Sequence, residues 1–231
     1  MNLILLFEDD FLTEHEVRLT GRRFAHVMNV HRAAVGDELA VGVSGGMVGK
    51  GVVTRLDEHA LEMRVTLTDD PPIPIPLTLI LALPRPKVLN RVIAGAASLG
   101  VKRIHLINAW RVEKSYWKSP KLSGENLRMQ SILGLEQAKD TILPAIELHR
   151  FFRPFIENYA GDALKFVAHP RASEECPRDV QRAVTLAIGP EGGFIEEEID
   201  SLARAGFTPV TLGARVLRVE TAVAALIGRL Y

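Results

Sequence analysis

Leu186-Ala187-Ile188-Gly189-Pro190-Glu191-Gly192-Gly193-Phe194 is the stretch on which the fold turns. The run Val184–Ile188 is short and mostly apolar, as a buried parallel strand is. Ile195–Ala205 then has the character of a helix. A glycine-rich turn at such a junction lets a ligand approach the backbone and offers it amide donors. The pattern is neither the GxGxxG dinucleotide fingerprint nor a P-loop with its lysine. Glu196-Glu197-Glu198 suits the positive end of a helix but repels phosphate, so the expected ligand carries a positive centre such as a sulfonium or amine. Taken alone, the same residues also fit a tight turn with no ligand, which is the simpler reading.

A second junction of this kind follows. Pro209–Leu212 reads as a strand, and Gly213-Ala214-Arg215-Val216-Leu217-Arg218 leads from it into Val219-Glu220-Thr221-Ala222. Glu220 and Thr221 serve equally to charge and cap the final helix, and Arg215 and Arg218 serve as surface charges. Two ligand-type turns after successive strands, however, lie at one edge of a parallel sheet, where ligands collect. The final helix carries Val219, Ala222, Val223, Leu226, Ile227 and Leu230 at helical spacing. Its other face holds Ala224, Ala225 and Gly228, which fits either a second subunit or burial within its own domain.

Working towards the N-terminus, Leu77–Leu83, Arg103–Ile107 and Leu164–Ala168 also read as strands. Helical stretches Val88–Leu99, Glu125–Ala138 and Phe151–Tyr159 separate them. This alternation predicts an α/β domain with a parallel sheet over residues 77–231. Pro71-Pro72-Ile73-Pro74-Ile75-Pro76 is a semi-rigid spacer short of amide donors. Before it, residues 1–70 hold β-like runs at Leu3–Phe7, Glu38–Val43, Met47–Leu56 and Leu61–Thr68. Gly45-Gly46 reads as a hairpin turn, and Gly21–Val30 as a short helix with Thr20 as its N-cap. This half is expected to be a small β-rich module, a barrel being one form it could take.

Composition narrows the class. With 47% apolar and 24% charged residues, the 231-residue chain has an ordinary globular balance. No apolar run approaches the roughly 20 residues needed to cross a bilayer. Met1–Phe7 meets Glu8-Asp9-Asp10 at once and lacks a basic leader, so it is not read as a signal peptide. The single cysteine, Cys176, fits a reducing, cytoplasmic setting. No metal is expected, because no His/Cys ligand spacing stands out. The zero net charge hides an asymmetry: residues 1–76 hold 7 basic and 12 acidic side chains, leaving 21 and 16 for the rest. Between Arg85 and Arg128 ten basic residues face only Glu113 and Glu125, with Trp110, Tyr116 and Trp117 interleaved. Aromatic rings beside cations can stack bases while the cations hold phosphates, although such runs are more often solvated surface.

Together these residues resemble the 16S ribosomal RNA uridine-N3 methyltransferases (RsmE-type) within the knotted SPOUT superfamily. The resemblance rests on Leu186–Phe194 with Glu198-Ile199, and on Leu212-Gly213 through Arg215, Val216-Leu217-Arg218 and Glu220-Thr221-Ala222. It implies a C-terminal trefoil knot, a PUA-like N-terminal RNA-binding domain, a homodimer, and S-adenosylmethionine as cofactor. The implied cofactor residues are Ile188, Gly189, Pro190, Glu191, Gly192, Gly193, Leu212, Gly213, Val216, Leu217, Arg218 and Thr221. The implied partner is 16S rRNA of the small ribosomal subunit. Three positions depart from the family pattern: Arg85-Pro86-Lys87 lacks the glycine usual there, Ala97-Ser98-Leu99-Gly100 replaces Thr-Glu-Leu-Gly, and Asp140 stands where arginine is common.

Uridine N3 must lose a proton before it attacks a methyl group. Glu191 and Glu220 are therefore candidate bases, and Arg218, then Arg85, candidate stabilisers of the anion that forms. Arg22, Arg23, Arg32, Arg85, Lys87, Arg91 and Arg111 are the candidate RNA contacts. Other readings remain: a phosphate-dependent α/β enzyme, a methyltransferase acting on another RNA such as tRNA, and a non-catalytic RNA-binding assembly factor.

Overall fold

The proline-rich spacer marks a division of the chain. The computed structural model describes residues 2–231 and packs them as two units. The first comprises the chain up to Ile73 together with Ile132–Leu143; the second comprises Pro74–Ser131 and Pro144–Tyr231. Two consecutive segments, 1–70 and 77–231, miss the return of 132–143 to the first unit. Those residues continue a helix begun in the second unit, and nothing local marks the change of partner.

The first unit is a five-stranded sheet in the order β1-β3-β4-β5-β2. Its strands are β1 (Ile4–Leu6), β2 (Glu16–Leu19), β3 (Glu38–Val43), β4 (Val48–Leu56) and β5 (Leu61–Asp69). Alternation along β5 buries Leu61, Met63 and Val65 beside Val17, Leu19 and Val53. Gly45, at φ +77°, makes the β3–β4 hairpin as expected. The helix α1 (Gly21–His26) follows Thr20, whose side chain does not cap it. The chain then widens into a π-helical turn at Val27–His31 and stops at Arg32, which is left-handed at φ 53°. The strand β2 escapes the sequence reading because its four residues alternate charged with apolar inside a charged stretch.

The second unit opens with β6 (Leu77–Ala82), α2 (Pro86–Ser98), β7 (Arg103–Ile107), α3 (Gly124–Ala138, which crosses into the first unit), β8 (Ala145–His149) and α4 (Phe152–Glu157). It continues with β9 (Leu164–Ala168), β10 (Glu174–Glu175), β11 (Val184–Ile188), α5 (Glu196–Arg204), β12 (Thr208–Thr211) and α6 (Val219–Leu230). All seven strands are parallel, in the order β10-β12-β9-β11-β6-β7-β8. The central strands β6 and β11 are apolar except at Thr78 and Thr185 because helices cover both faces. Each buried Leu or Ile there contributes roughly 1.5–3 kcal/mol. Sequence reading misses β8, a largely exposed edge strand without an apolar run, and the two-residue β10.

Pro86 starts α2 at its first turn, where a missing amide costs nothing. The final helix α6 buries Val219, Val223, Leu226, Ile227 and Leu230 and leaves Ala224, Ala225 and Gly228 exposed. No helix among the described residues is long and apolar enough to cross a membrane.

Candidate cofactor site

Because β6, β11, β9 and β12 are neighbours and parallel, the loops at their C-terminal ends share one edge. A cavity of about 710 Å³ opens there, within the range of small-molecule sites. Ile188 to Gly193 form one wall, and Leu212, with Arg215 to Glu220, forms another. Arg85, Val88 and Arg91, from the loop and helix after β6, close a third side.

The first wall is shaped by its glycines. A Cβ on Gly189 would lie 2.9 Å from the Phe194 amide nitrogen, so the turn folds back too tightly for any side chain. The Gly193 amide donates to the Pro190 carbonyl at 2.7 Å. Arg111 packs its methylenes over Gly192 and donates from Nη1 to the Gly192 carbonyl. An arginine counted among the RNA contacts therefore braces this loop. Glu191 Oε1 accepts the Arg85 backbone amide at 3.0 Å, which ties the first wall to the third.

In the second wall Gly213 sits at φ +109°, a conformation that favours glycine, and Thr211 Oγ1 bonds both the amide and the carbonyl of Gly213. Arg218 stands at the N-cap of α6 with its side chain exposed. Glu220, in the first turn, pairs with Arg91 at 3.3 Å. Val216 remains 80% exposed at the rim.

Of the sequence-predicted residues, Ile188 to Gly193, Leu212, Val216 to Arg218, Glu220, Arg85 and Arg91 line the cavity. Gly213 shapes the loop without lining it, and Thr221 and Lys87 point to solvent elsewhere. Sequence reasoning missed Ala168, His169 and Pro170 at the C-terminal end of β9, which complete the enclosure. Only the strand order, β9 between β11 and β12, brings them there.

The acidic run after the first turn needs correcting. Glu196 to Glu198 do not line the cavity. Glu198 is buried, accepting its own Ile195 amide at 3.0 Å and the Trp110 amide at 2.7 Å. It caps α5 and fastens a neighbouring loop; the carboxylates that do face the cavity are Glu191 and Glu220.

Two further RNA candidates are engaged inside the first unit. Arg22 forms a two-pronged pair with the buried Glu136, both contacts at 2.9 Å. Arg23 grips Asp10 at 2.5 and 2.6 Å and the Leu5 carbonyl at 2.7 Å. Arg32 is exposed. Of the aromatics, Trp110 is 79% exposed, whereas Trp117 and Tyr116 pack on the core. Burial, and then the hydrogen bond to Glu113, raises the Tyr116 phenol above its ordinary value.

A parallel sheet with a ligand cavity among glycine-bearing loops defines a cofactor-binding α/β protein, and the comparisons narrow the class to RNA-modifying enzymes. Residues 71–231 match the family model described as an RNA methyltransferase domain. The ribosomal RNA small subunit methyltransferase E of Treponema pallidum is 30% identical over 96% of this chain and 88% of its own. Its counterpart from Borreliella burgdorferi, ribosomal RNA small subunit methyltransferase E 1, is 25% identical over 97% and 95%. The chain also superposes with a TM-score of 0.78 on a Neisseria gonorrhoeae ribosomal RNA small subunit methyltransferase E solved bound to S-adenosyl methionine. That pair is 25% identical, covering 98% of this chain and 95% of the other. The chain belongs to the ribosomal RNA small subunit methyltransferase E family.

Proposed function

We propose that this protein transfers a methyl group from S-adenosylmethionine to N3 of a uridine in 16S rRNA of the small ribosomal subunit. The observation that carries the reading is the cavity enclosed by the two glycine loops, with two carboxylates and four arginines at its wall. Its residues fit the cofactor. Ile188, Leu212, Val216, Leu217 and Leu226 offer apolar surface for an adenine ring, and the side-chain-free turn at Gly189 leaves backbone atoms open to hydrogen bonding. Glu191 and Glu220 complement a sulfonium or ammonium, and the arginines a carboxylate. When bound, the cofactor supplies an electrophilic methyl carbon on a positively charged sulfur.

The chain's own residues hold the nucleobase in line with that carbon and manage the N3 proton. Glu220, in the first turn of α6 beside Arg218, is assigned as the base, and Glu191, whose Oε1 accepts the Arg85 amide, as a brace between two walls. Arg91, paired with Glu220, holds its carboxylate at the cavity wall. Arg218, on the same wall, is assigned to the negative charge that develops on the uracil carbonyls, with Arg85 as a second donor.

The finer architecture belongs to the same proposal. A trefoil knot at the C-terminus is supported by the 176–182 segment running along the end of α6: Val180 donates to the Leu230 carbonyl at 2.7 Å, and Arg229 binds the Cys176 carbonyl. The exposed Ala224, Ala225 and Gly228 suit a homodimer contact. Residues 1–70 are proposed as a PUA-like barrel that binds RNA, and the protein as cytoplasmic.

The test is incubation with labelled S-adenosylmethionine and small ribosomal subunits that lack the modification, followed by mapping of the labelled nucleotide. Label at a single uridine N3 of 16S rRNA is expected. Label confined to tRNA, or cofactor binding with no transfer to any RNA, overturns the substrate assignment.

A further inference from the structure

We propose that His105, Glu147 and His149 form a binding site for a divalent transition-metal ion of the zinc class, on the β7–β8 edge of the parallel sheet. Parallel register sets His105 opposite Glu147 and Ile107 opposite His149. Alternation along each strand then turns all three side chains to one face. The sequence reading sees no ligand set because the residues come from two strands, and Glu147-Leu148-His149 alone is a common pattern.

The geometry is that of a metal-binding triangle. His105 Nδ1 lies 3.0 Å from His149 Nε2 and 3.6 Å from Glu147 Oε2, and His149 Nε2 lies 3.4 Å from the same oxygen. The circle through three such points has a radius of about 1.9 Å, so an ion at the usual ~2.0–2.2 Å from imidazole nitrogen and carboxylate oxygen sits just above their plane. Two imidazoles and one carboxylate suit zinc, cobalt or nickel better than magnesium or calcium. Glu147, with its side chain 58% exposed, leaves a path for entry and a fourth position for water.

The rings are held ready. Phe155 stacks on His149 with centroids 4.1 Å apart and also meets His105 at 5.2 Å, while Tyr159 meets the edge of His105 at 5.9 Å. Fixed ring planes lower the ordering cost of coordination. None of the three ligands lines the cofactor cavity, so the site stands apart from the proposed chemistry. An ion there clips the exposed edge strand β8 to β7. The competing explanation is a plain His–His hydrogen bond with Glu147 beside it.

The experiment uses the full chain, freed of any affinity tag and treated with chelator, titrated with cobalt(II) by visible absorption and with zinc(II) by calorimetry. One equivalent per chain is expected, with d–d bands of a low-coordinate ion. Glu147→Ala, at an exposed position, should weaken binding by more than about tenfold. His149→Phe, which keeps a ring against Phe155, should abolish the bands. The proposal fails if the native chain takes up no cobalt or zinc, or if both variants bind them as it does.

Discussion

Replacing Arg23 by alanine separates two opposed accounts of that residue. As an RNA contact it would be dispensable for folding; in the structure it is a partly buried strut. Its guanidinium donates to both Asp10 oxygens and to the Leu5 carbonyl, and lies 5.1 Å from the Phe7 ring centroid. The two side chains are only 16% and 10% exposed, so water cannot replace what is lost. Truncation leaves the Asp10 carboxylate with the Phe7 amide, at 2.7 Å, as its remaining backbone donor. Orphaning a buried charge costs about 3–5 kcal/mol, a large part of a domain's typical 5–15. With a urea dependence of roughly 1–2 kcal/mol/M for a small unit, the midpoint should fall by about 2–4 M. Trp110, Trp117 and all three tyrosines lie in the second unit, so their fluorescence does not report this loss. Hydrogen exchange on β1 and β5 peptides reads it directly. Arg23→Met combined with Asp10→Leu should recover much of the stability, because no lone charge is left. A loss below about 1 kcal/mol for Arg23→Ala, with weaker and less salt-dependent RNA binding, would refute the strut and restore the phosphate contact.

Three further substitutions probe the cofactor site. Gly189→Ala drives a Cβ into the Phe194 backbone, whereas the atoms nearest a Cβ in Gly192→Ala belong to the Arg111 side chain, so calorimetry should show a far larger loss of S-adenosylmethionine affinity for the first. Equal losses would mean that turn rigidity is not what shapes the site. Glu220→Gln should cut single-turnover methyl transfer by about 10²-fold or more with cofactor affinity nearly unchanged; an unaltered rate removes Glu220 as the base.

What the sequence disclosed and what it concealed divide along a physical line. Strands β3, β7, β9 and β11 are legible because burial on one or both faces writes itself into local composition. The ligand turns are legible because a sharply reversed backbone needs glycine, as Gly189 and Gly213 do. Edge strands carry no such mark: β8 is mostly exposed, and its apolar residues never form a run.

Charged residues are harder still, since a side chain's role depends on a partner that the local sequence does not name. Arg22 looks like a surface cation until Glu136, 114 positions away, is brought against it. Glu198 looks like a helix-dipole charge facing a ligand until the Trp110 amide takes it, 88 positions away. Arg111 looks like part of an RNA-facing run until it is seen against Gly192. Arg22 stabilises the first unit, while Glu198 and Arg111 stabilise the frame of the site, and the residues left exposed at its wall, Arg85 and Arg218 among them, are the ones available to meet a substrate. The basic cluster therefore overstates the RNA-binding surface: part of its charge is committed to holding the cofactor loops, and only the remainder can contribute to the salt dependence of RNA binding.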